Sequence, residues 1–228
     1  MYDYNIIKYI KGFDYNIKED IIINLVGIAH DIKNSKNTQD YYNINTFFSN
    51  SLFDSFLISN AKVFITISST KAVADNIKTE LTENTIPNPI TDYGKSKLMA
   101  EKYILSKKIP SGKRFYILRP CMIHGPGNKG NLNLLYNIVN LGLPWPLGSF
   151  ENKRSFCSID NLCFIINELI ENDKVPVVPY KKEMPNNKIP DEKAEDKINF
   201  IPASDDLRLV KSKLAAAANG IVDISNPR

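Results

Sequence analysis

A tyrosine and a lysine stand four residues apart in the segment Tyr93-Gly-Lys-Ser-Lys97. On a helix, positions i and i+4 share a face, so the phenol and the ammonium would lie side by side. A free phenol has a pKa of about 10 and is a poor base at neutral pH, but a nearby cation lowers that pKa. Tyr93 is therefore a candidate general acid/base with Lys97 as its partner. The spacing alone is weak evidence, because such pairs are common on exposed helix faces.

A row of hydroxyl side chains, Ser68, Ser69 and Thr70, follows an apolar run upstream of Tyr93. Hydroxyls at the carboxyl edge of a parallel sheet face the crevice in which ligands bind. The same residue types also start loops after strands, which would give them a purely structural role. A strand with hydroxyls, then a helix with Tyr and Lys, then a strand ending in Arg-Pro favours the catalytic interpretation.

Three apolar runs are the candidate strands that would position these side chains: residues 21–26 (IIINLV), 62–68 (KVFITIS) and 114–118 (RFYIL). Near-continuous apolar runs are typical of strands that are buried on both faces of a parallel sheet. Helical periodicity over residues 44–56 and 91–107 completes a strand–helix–strand order. The sequence therefore predicts an α/β fold with a doubly wound parallel sheet and right-handed crossovers.

Three more helices are predicted in the second half of the chain. One covers about residues 132–141 and is ended by Gly142. The next covers residues 160–171, with Asp160 as its N-cap. The last runs from Ser204 to Asn219 and is ended by Gly220.

Two domains are expected, residues 1–124 with the parallel sheet and residues 125–228 as a smaller lobe. Residues 174–200 are rich in Lys, Pro, Asn and Glu and predict an irregular linker within the second domain.

The composition indicates an ordinary globular protein. The net charge of +4 is spread over scattered lysines, so we expect no nucleic-acid partner. The three cysteines form no CxxC pair, which favours a reducing compartment. Neither a signal peptide nor a membrane span is apparent, which predicts a cytoplasmic protein. His30 and His124 lack partners at helical spacing, so no metal site is predicted.

The motifs INLVGIAHD, ITISSTKAVAD, NPITDYGKSKLMAEKYI and ILRPCMIHGPGNKGNL together resemble the extended short-chain dehydrogenase/reductases. Within them, the chain is similar to UDP-galactose 4-epimerase-like members of the NAD-dependent epimerase/dehydratase family, over about residues 21–170. The resemblance implies a Rossmann-like domain with a small C-terminal substrate lobe, and NAD or NADP as cofactor. The family's Gly-rich turn, which holds the cofactor pyrophosphate, is not found before Ile21, so we expect a chain that lacks this N-terminal segment.

A second glycine motif, Gly125-Pro-Gly127-Asn-Lys-Gly130, fits GxGxxG. We predict that it is not a dinucleotide site, because residues 120–124 separate the third strand from the first glycine. The Pro-rich region that follows is also unsuited to a strand.

Carried over residue by residue, the resemblance implies that Tyr93 is the acid/base and that Thr70 hydrogen bonds the reacting oxygen of the substrate. Lys97 would set the pKa of Tyr93 and hold the nicotinamide ribose. The implied cofactor-binding residues are Leu25, Gly27, Asn45, Ser68, Tyr93, Lys97 and Cys121, and the implied substrate-binding residues are Ser69, Asn131 and Arg154. An arginine suits a diphosphate because its planar fork donates two charge-assisted hydrogen bonds.

The predicted function is that of an NAD(P)-dependent nucleotide-sugar epimerase, or a keto-sugar reductase, in surface-polysaccharide precursor synthesis. Lys71 and Ala72 stand where the related dehydratases carry Asp and Glu, which disfavours a dehydratase. The alternative is a catalytically impaired homologue that binds a nucleotide sugar or a partner chain without turnover. The expected partners are a nucleotide-diphosphate sugar and either a second copy of the chain or a complementing chain.

Overall fold

The fold is a parallel α/β sheet in a computed structural model that describes residues 17–29, 37–76, 80–82, 84–126, 131–142, 154–172 and 220–224. The strands in these ranges are β1 (Ile21–Asn24), β2 (Val63–Ile67), β3 (Arg114–Pro120), β4 (Met122–His124), β5 (Phe156–Ser158) and β6 (Gly220–Ile224). The main sheet has the order β1-β2-β3-β6, and β4 and β5 form a separate pair. All of these pairings are parallel, which confirms the predicted fold class.

The helices include one long segment after β1 and a second one after β2. The described helical segments are α1 (Thr38–Tyr41), a π-helix (Tyr42–Phe48), α2 (Ser49–Ile58), a 3-10 turn (Thr70–Ala72), α3 (Asp92–Leu105), α4 (Asn131–Asn140) and α5 (Ile159–Glu171). The three predicted strands and the helices predicted over residues 44–56, 91–107 and 132–141 are therefore confirmed. Gly142 has φ +64, as expected of the residue that ends α4. No helix in the described ranges is both long and apolar enough to cross a membrane.

Alternate residues of β2 and β3 point to opposite faces of the sheet. Each face is covered by its own apolar cluster. On one face, Ile65 and Leu118 pack with Ile165 of α5. On the other face, Phe64 packs with Phe53 of α2, their ring centroids 5.0 Å apart. Each large apolar side chain buried in this way contributes about 1.5–3 kcal/mol to stability.

Two details of the predicted elements are wrong. The N-cap of α5 is Ser158, whose hydroxyl accepts from the Asn161 N–H (3.1 Å). Asp160 lies within the first turn instead, where its charge favours the positive end of the helix dipole. Gly220 begins β6, whereas we expected it to end a helix. The run Ile221-Val-Asp-Ile224 favours a strand, because β-branched residues fit a pleated sheet.

The division into two domains at residue 124 stays a prediction. Gly220–Ile224 pairs with β3 in the main sheet. The predicted linker at residues 174–200 and the helix predicted over residues 204–219 lie outside the described residues.

Candidate active site

The first turn of α3 is held in place by two side chains. Thr91 is its N-cap, and the Thr91 hydroxyl accepts a hydrogen bond from the Gly94 N–H (3.1 Å). The Asp75 carboxylate accepts from the N–H of Ile90 (2.6 Å), and from the N–H (2.8 Å) and hydroxyl (2.6 Å) of Thr91. Burial raises the pKa of Asp75, but these hydrogen bonds outweigh it and leave the pKa below 3.8. A charged Asp75 therefore fixes the position at which α3 begins.

Gly94 lets the 3-10 turn come into contact with α3. A Cβ at Gly94 would lie 2.4 Å from the Lys71 carbonyl oxygen and 2.8 Å from the Pro89 Cβ. Because the first of these is backbone, a side chain at this position would push α3 away from the turn. The close approach places Tyr93 beside Ser69, the residue that caps the turn.

The Tyr93 phenol lies near the Ser69 side chain at the carboxyl edge of the sheet. Its ring also meets the Tyr41 ring edge-to-face, with centroids 6.4 Å apart. Burial raises the pKa of Tyr93 above 10.0 and the neighbouring Tyr41 adds to this, while the nearby Ser69 hydroxyl opposes it. The direction is opposite to the one predicted from the spacing of Tyr93 and Lys97, so the phenol of the free chain is protonated at neutral pH.

The Lys97 ammonium explains this difference, because it is directed to the end of β2. Its Nζ donates to the Ile67 carbonyl at 2.9 Å, and the residue is only 8% exposed. Burial lowers the pKa of Lys97 to about 8, and the negative charge of Glu101 partly opposes this effect. A buried amine with such a pKa is typical of functional sites.

Gly27, Asn45 and Lys97 meet at one point, as their predicted roles require. A Cβ at Gly27 would lie 2.9 Å from the Lys97 Nζ and 3.3 Å from the Asn45 Oδ1. The Asn45 amide is fully buried, accepts from the Ile28 N–H (2.8 Å), and donates to the Ile28 carbonyl (3.1 Å) and the Ser96 hydroxyl (3.0 Å). Asn45 therefore joins the loop after β1 to α3, and its contact with a cofactor stays a prediction.

The three predicted hydroxyls lie in different surroundings. Ser69 lies near the Tyr93 phenol, and its hydroxyl accepts from the Lys71 N–H (3.2 Å). Ser68 points into the interior, where its buried hydroxyl donates to Glu101. Thr70 begins the 3-10 turn and is partly exposed. The roles of all three hydroxyls towards substrate and cofactor stay predictions.

The remaining predicted residues lie around this centre. Leu25 directly follows β1 and is 71% exposed, and Cys121 directly follows β3. Both therefore lie at the carboxyl edge of the sheet, as Ser69 does. Arg154 is exposed just before β5, and Asn131 begins α4, although its side chain is not among those described. The predicted substrate contacts of Asn131 and Arg154 stay predictions.

Sequence reasoning missed a buried ion pair beneath this centre. Glu101 accepts from Arg119 twice, from Nε at 3.0 Å and from Nη2 at 2.6 Å, and both residues are 2% exposed. One signal could have found Glu101, because it lies a further i+4 step along the helix from Lys97.

The second glycine motif has a structural explanation at its first residue. A Cβ at Gly125 would lie 2.4 Å from the Ile159 Cγ2, so packing against α5 requires a glycine there. The third strand, β3, does end at Pro120, before Gly125, and the residues between them include a short additional strand, β4 (Met122–His124), which we did not predict from the sequence. Residues 127–130 lie outside the described ranges, and the prediction that the motif is not a dinucleotide site stays a prediction.

The histidines and acidic residues give no metal-binding arrangement in the part of the chain that the structure describes. No group of three or more His, Cys, Asp or Glu residues could hold an ion there. The His124 ring instead meets the Phe156 ring edge-to-face, with centroids 6.2 Å apart. His30 lies outside the described residues.

Comparisons with known sequences agree with the resemblance seen in the motifs. The sequence model of the NAD dependent epimerase/dehydratase family matches residues 9–179. The UDP-glucose 4-epimerase of Vibrio cholerae is 34% identical over 159 residues, which are 68% of this chain and 48% of that protein. The chain therefore spans about half the length of this relative.

Comparisons with solved structures give the same fold. A UDP-glucuronic acid 4-epimerase from Bacillus cereus, in complex with NAD, matches with a TM-score of 0.57 and 23% identity, covering 69% of this chain and 50% of that one. A UDP-glucose 4-epimerase from Thermotoga maritima, with UDP-glucose, matches with a TM-score of 0.55 and 22% identity, covering 67% and 52%.

Proposed function

Because the chain belongs to the NAD dependent epimerase/dehydratase family, we propose that it carries the acid/base centre of an NAD(P)-dependent nucleotide-sugar epimerase or keto-sugar reductase. The observation that carries this proposal is the position of the Tyr93 phenol near the Ser69 hydroxyl at the carboxyl edge of the sheet, with Lys97 buried one helical turn further on. The similarity to UDP-sugar 4-epimerases supports a nucleotide-diphosphate sugar as the substrate class. Surface-polysaccharide precursor synthesis is the process that we expect it to serve.

The Lys97 ammonium is suited to binding the nicotinamide ribose of a cofactor. An ammonium has three N–H donors, and Lys97 donates one of them to Ile67, which leaves donors for ribose hydroxyls. A bound nicotinamide cofactor would supply the acceptance and return of a hydride at the sugar carbon. Both NAD and NADP are compatible with this assignment, because it concerns only the ribose that the two cofactors share.

Tyr93 would hold and move the proton of the sugar hydroxyl. In the free chain the phenol is protonated, so Tyr93 is a proton donor. A cation that approaches the phenol would lower its pKa and let it accept a proton instead. The Ser69 hydroxyl, or that of Thr70 beside it, would hold the sugar oxygen during the transfer.

A second candidate function is the binding of a nucleotide sugar or a partner chain without turnover. It differs from the first in that Tyr93 would stay protonated throughout, because a protonated phenol cannot begin the reaction as a base. A second copy of the chain and a complementing chain stay predictions as partners.

The test is a cofactor titration of the purified chain followed by an epimerisation assay. NAD or NADP should raise the melting temperature, and at 100 times Kd it should stabilise the chain by about 2.7 kcal/mol. Tyr93→Phe should keep this stabilisation and lose turnover by about 100-fold or more. Tyr136→Phe, the same change on an exposed face of α4, is the matched control and should leave both unchanged.

Each outcome separates the two candidate functions. Stabilisation without 4-epimerised product from UDP-glucose or UDP-glucuronic acid, in the unaltered chain, would favour binding without turnover. Neither stabilisation nor product, with either cofactor, would contradict the proposed enzyme.

A further inference from the structure

Three side chains on one face of α3 contact residues at the end of β2 and just after it. They are Tyr93, Lys97 and Glu101, spaced at i+4 intervals. Lys97 donates to the Ile67 carbonyl and Glu101 accepts from the Ser68 hydroxyl, while the Tyr93 phenol lies near the Ser69 hydroxyl. Two of these contacts involve the proposed acid/base and its lysine. The third contact has no role in the chemistry described above.

Ser68 lies between Ile67, which accepts from Lys97, and Ser69, which lies near Tyr93. Its hydroxyl donates to the Glu101 Oε1, and its N–H donates to the Leu118 carbonyl at 2.6 Å. It is therefore held from α3 on one side and from β3 on the other. Because its neighbours Ile67 and Ser69 are bonded directly to it, holding Ser68 restricts the directions of the carbonyl and hydroxyl that face Lys97 and Tyr93.

Arg119 allows a carboxylate to exist at this depth. Burying an unpaired charge is costly, and a bidentate pair with further hydrogen bonds offsets that cost. The Arg119 guanidinium contacts both Glu101 oxygens, and Ser68 adds a third hydrogen bond. The arrangement therefore gives both Glu101 oxygens hydrogen-bond partners beneath the candidate site.

Glu101 also acts on Lys97 through space. The two side chains line a common cavity of about 10 Å³, together with Asn45, Thr66 and Ser68 among others. This volume has room for about one water molecule and no larger ligand. The negative charge of Glu101 opposes the lowering of the Lys97 pKa by burial.

The other described groups around Lys97 are neutral or positively charged. Tyr93 precedes it on the same helix, and Arg119 of β3 lies behind Glu101. The end of β2 presents the Ile67 carbonyl, the π-helix presents the Asn45 amide, and the loop after β1 presents Gly27. Among the described residues, Glu101 is therefore the negative charge that compensates the buried ammonium.

We propose that Glu101, held by its bidentate pair with Arg119, is a positioning residue that holds Ser68 in place and presents its carboxylate to the Lys97 ammonium. The importance of Glu101 for catalysis rests on the function proposed above. Its interactions with Ser68, Lys97 and Arg119 can be tested in the free chain, because they need no cofactor or substrate.

The test is a titration of Lys97 in the free chain by NMR of its ¹³Cε signal, assigned by its loss in Lys97→Arg. Glu101→Gln keeps the shape of the side chain and removes its charge. The midpoint of Lys97 should fall by about one pH unit, because an opposite charge is lost and the Arg119 charge is left uncompensated. An unchanged midpoint in a folded Glu101→Gln variant would overturn the proposal.

The matched control is Ile165→Val, a buried change on the opposite face of the sheet, which should lower stability without moving the Lys97 midpoint. If Glu101→Gln does not fold, the double variant Glu101→Leu with Arg119→Met replaces the test, because a buried pair can often be exchanged for apolar residues. Its midpoint should lie below that of the unaltered chain, and equal midpoints would overturn the proposal. Failure of the chain to bind NAD would contradict the proposed function and leave this result intact.

Discussion

A methyl group at position 27 should destabilise the fold through one side chain, that of Lys97. A Cβ at Gly27 would lie 2.9 Å from the Lys97 Nζ, which is closer than the about 3.5–4.0 Å of an optimal contact between heavy atoms. The ammonium must therefore move by about half an ångström or more. This movement lengthens its 2.9 Å hydrogen bond to the Ile67 carbonyl.

The expected change in the free energy of unfolding follows from two opposing effects. A hydrogen bond from a charged group contributes about 1.5–3 kcal/mol, so losing it destabilises the chain by that amount at most. Replacing glycine with alanine restricts the unfolded chain and contributes about 0.4–1 kcal/mol in the other direction. Gly27 does not have a positive φ, so alanine adds no backbone strain. We expect Gly27→Ala to lower the free energy of unfolding by about 1–2 kcal/mol.

The assay is a double-mutant cycle measured by urea denaturation. It compares the unaltered chain, Gly27→Ala, Lys97→Ala and the double variant. With the short side chain at position 97, the alanine at position 27 meets no ammonium, so the part of its cost that is due to Lys97 should disappear, and only its 3.3 Å contact with the Asn45 Oδ1 should remain. The coupling energy should be about 1–2 kcal/mol. If the two changes add to within about 0.5 kcal/mol, the reasoning is refuted.

Three further predictions concern single side chains. Ser69→Ala should raise the pKa of Tyr93, followed by its ¹³Cζ signal, whereas Thr70→Ala should leave it unchanged; equal effects would contradict the assignment of the partner hydroxyl. Lys97→Met should change how stability depends on pH. The folded chain releases the Lys97 proton near pH 8 and the unfolded chain near pH 10.5. Between these values the free energy of unfolding of the unaltered chain should therefore rise relative to that of the variant. If the two free energies change with pH in the same way, the pKa assigned to the buried amine is wrong. Lys113→Met should lower the free energy of unfolding by about 1–3 kcal/mol in urea denaturation, because its ammonium donates to three carbonyls in the last turn of α2 and just after it; a change below about 0.3 kcal/mol would show that water replaces it.

Local patterns in the sequence were sufficient to predict most of the sheet and the helix of the candidate site. The runs around Ile22, Phe64 and Tyr116 are apolar at nearly every position, which only a strand buried on both faces requires. The i+4 spacing of Tyr93 and Lys97 placed both on one helix face without knowledge of the fold. β6 was missed although its β-branched residues favour a strand, because the edge of β3 that it pairs with is formed by residues far away in the sequence.

The partners of each site residue were decided only by the tertiary structure. Spacing predicted that Lys97 would act on Tyr93, yet the ammonium bonds a carbonyl at the end of β2. The pairing of Glu101 with Arg119 joins residues on a helix and a strand. Periodicity along the chain determines which face of an element a side chain occupies, whereas the register between elements determines what that side chain meets. That register arises from the packing of the whole core, which no local pattern records.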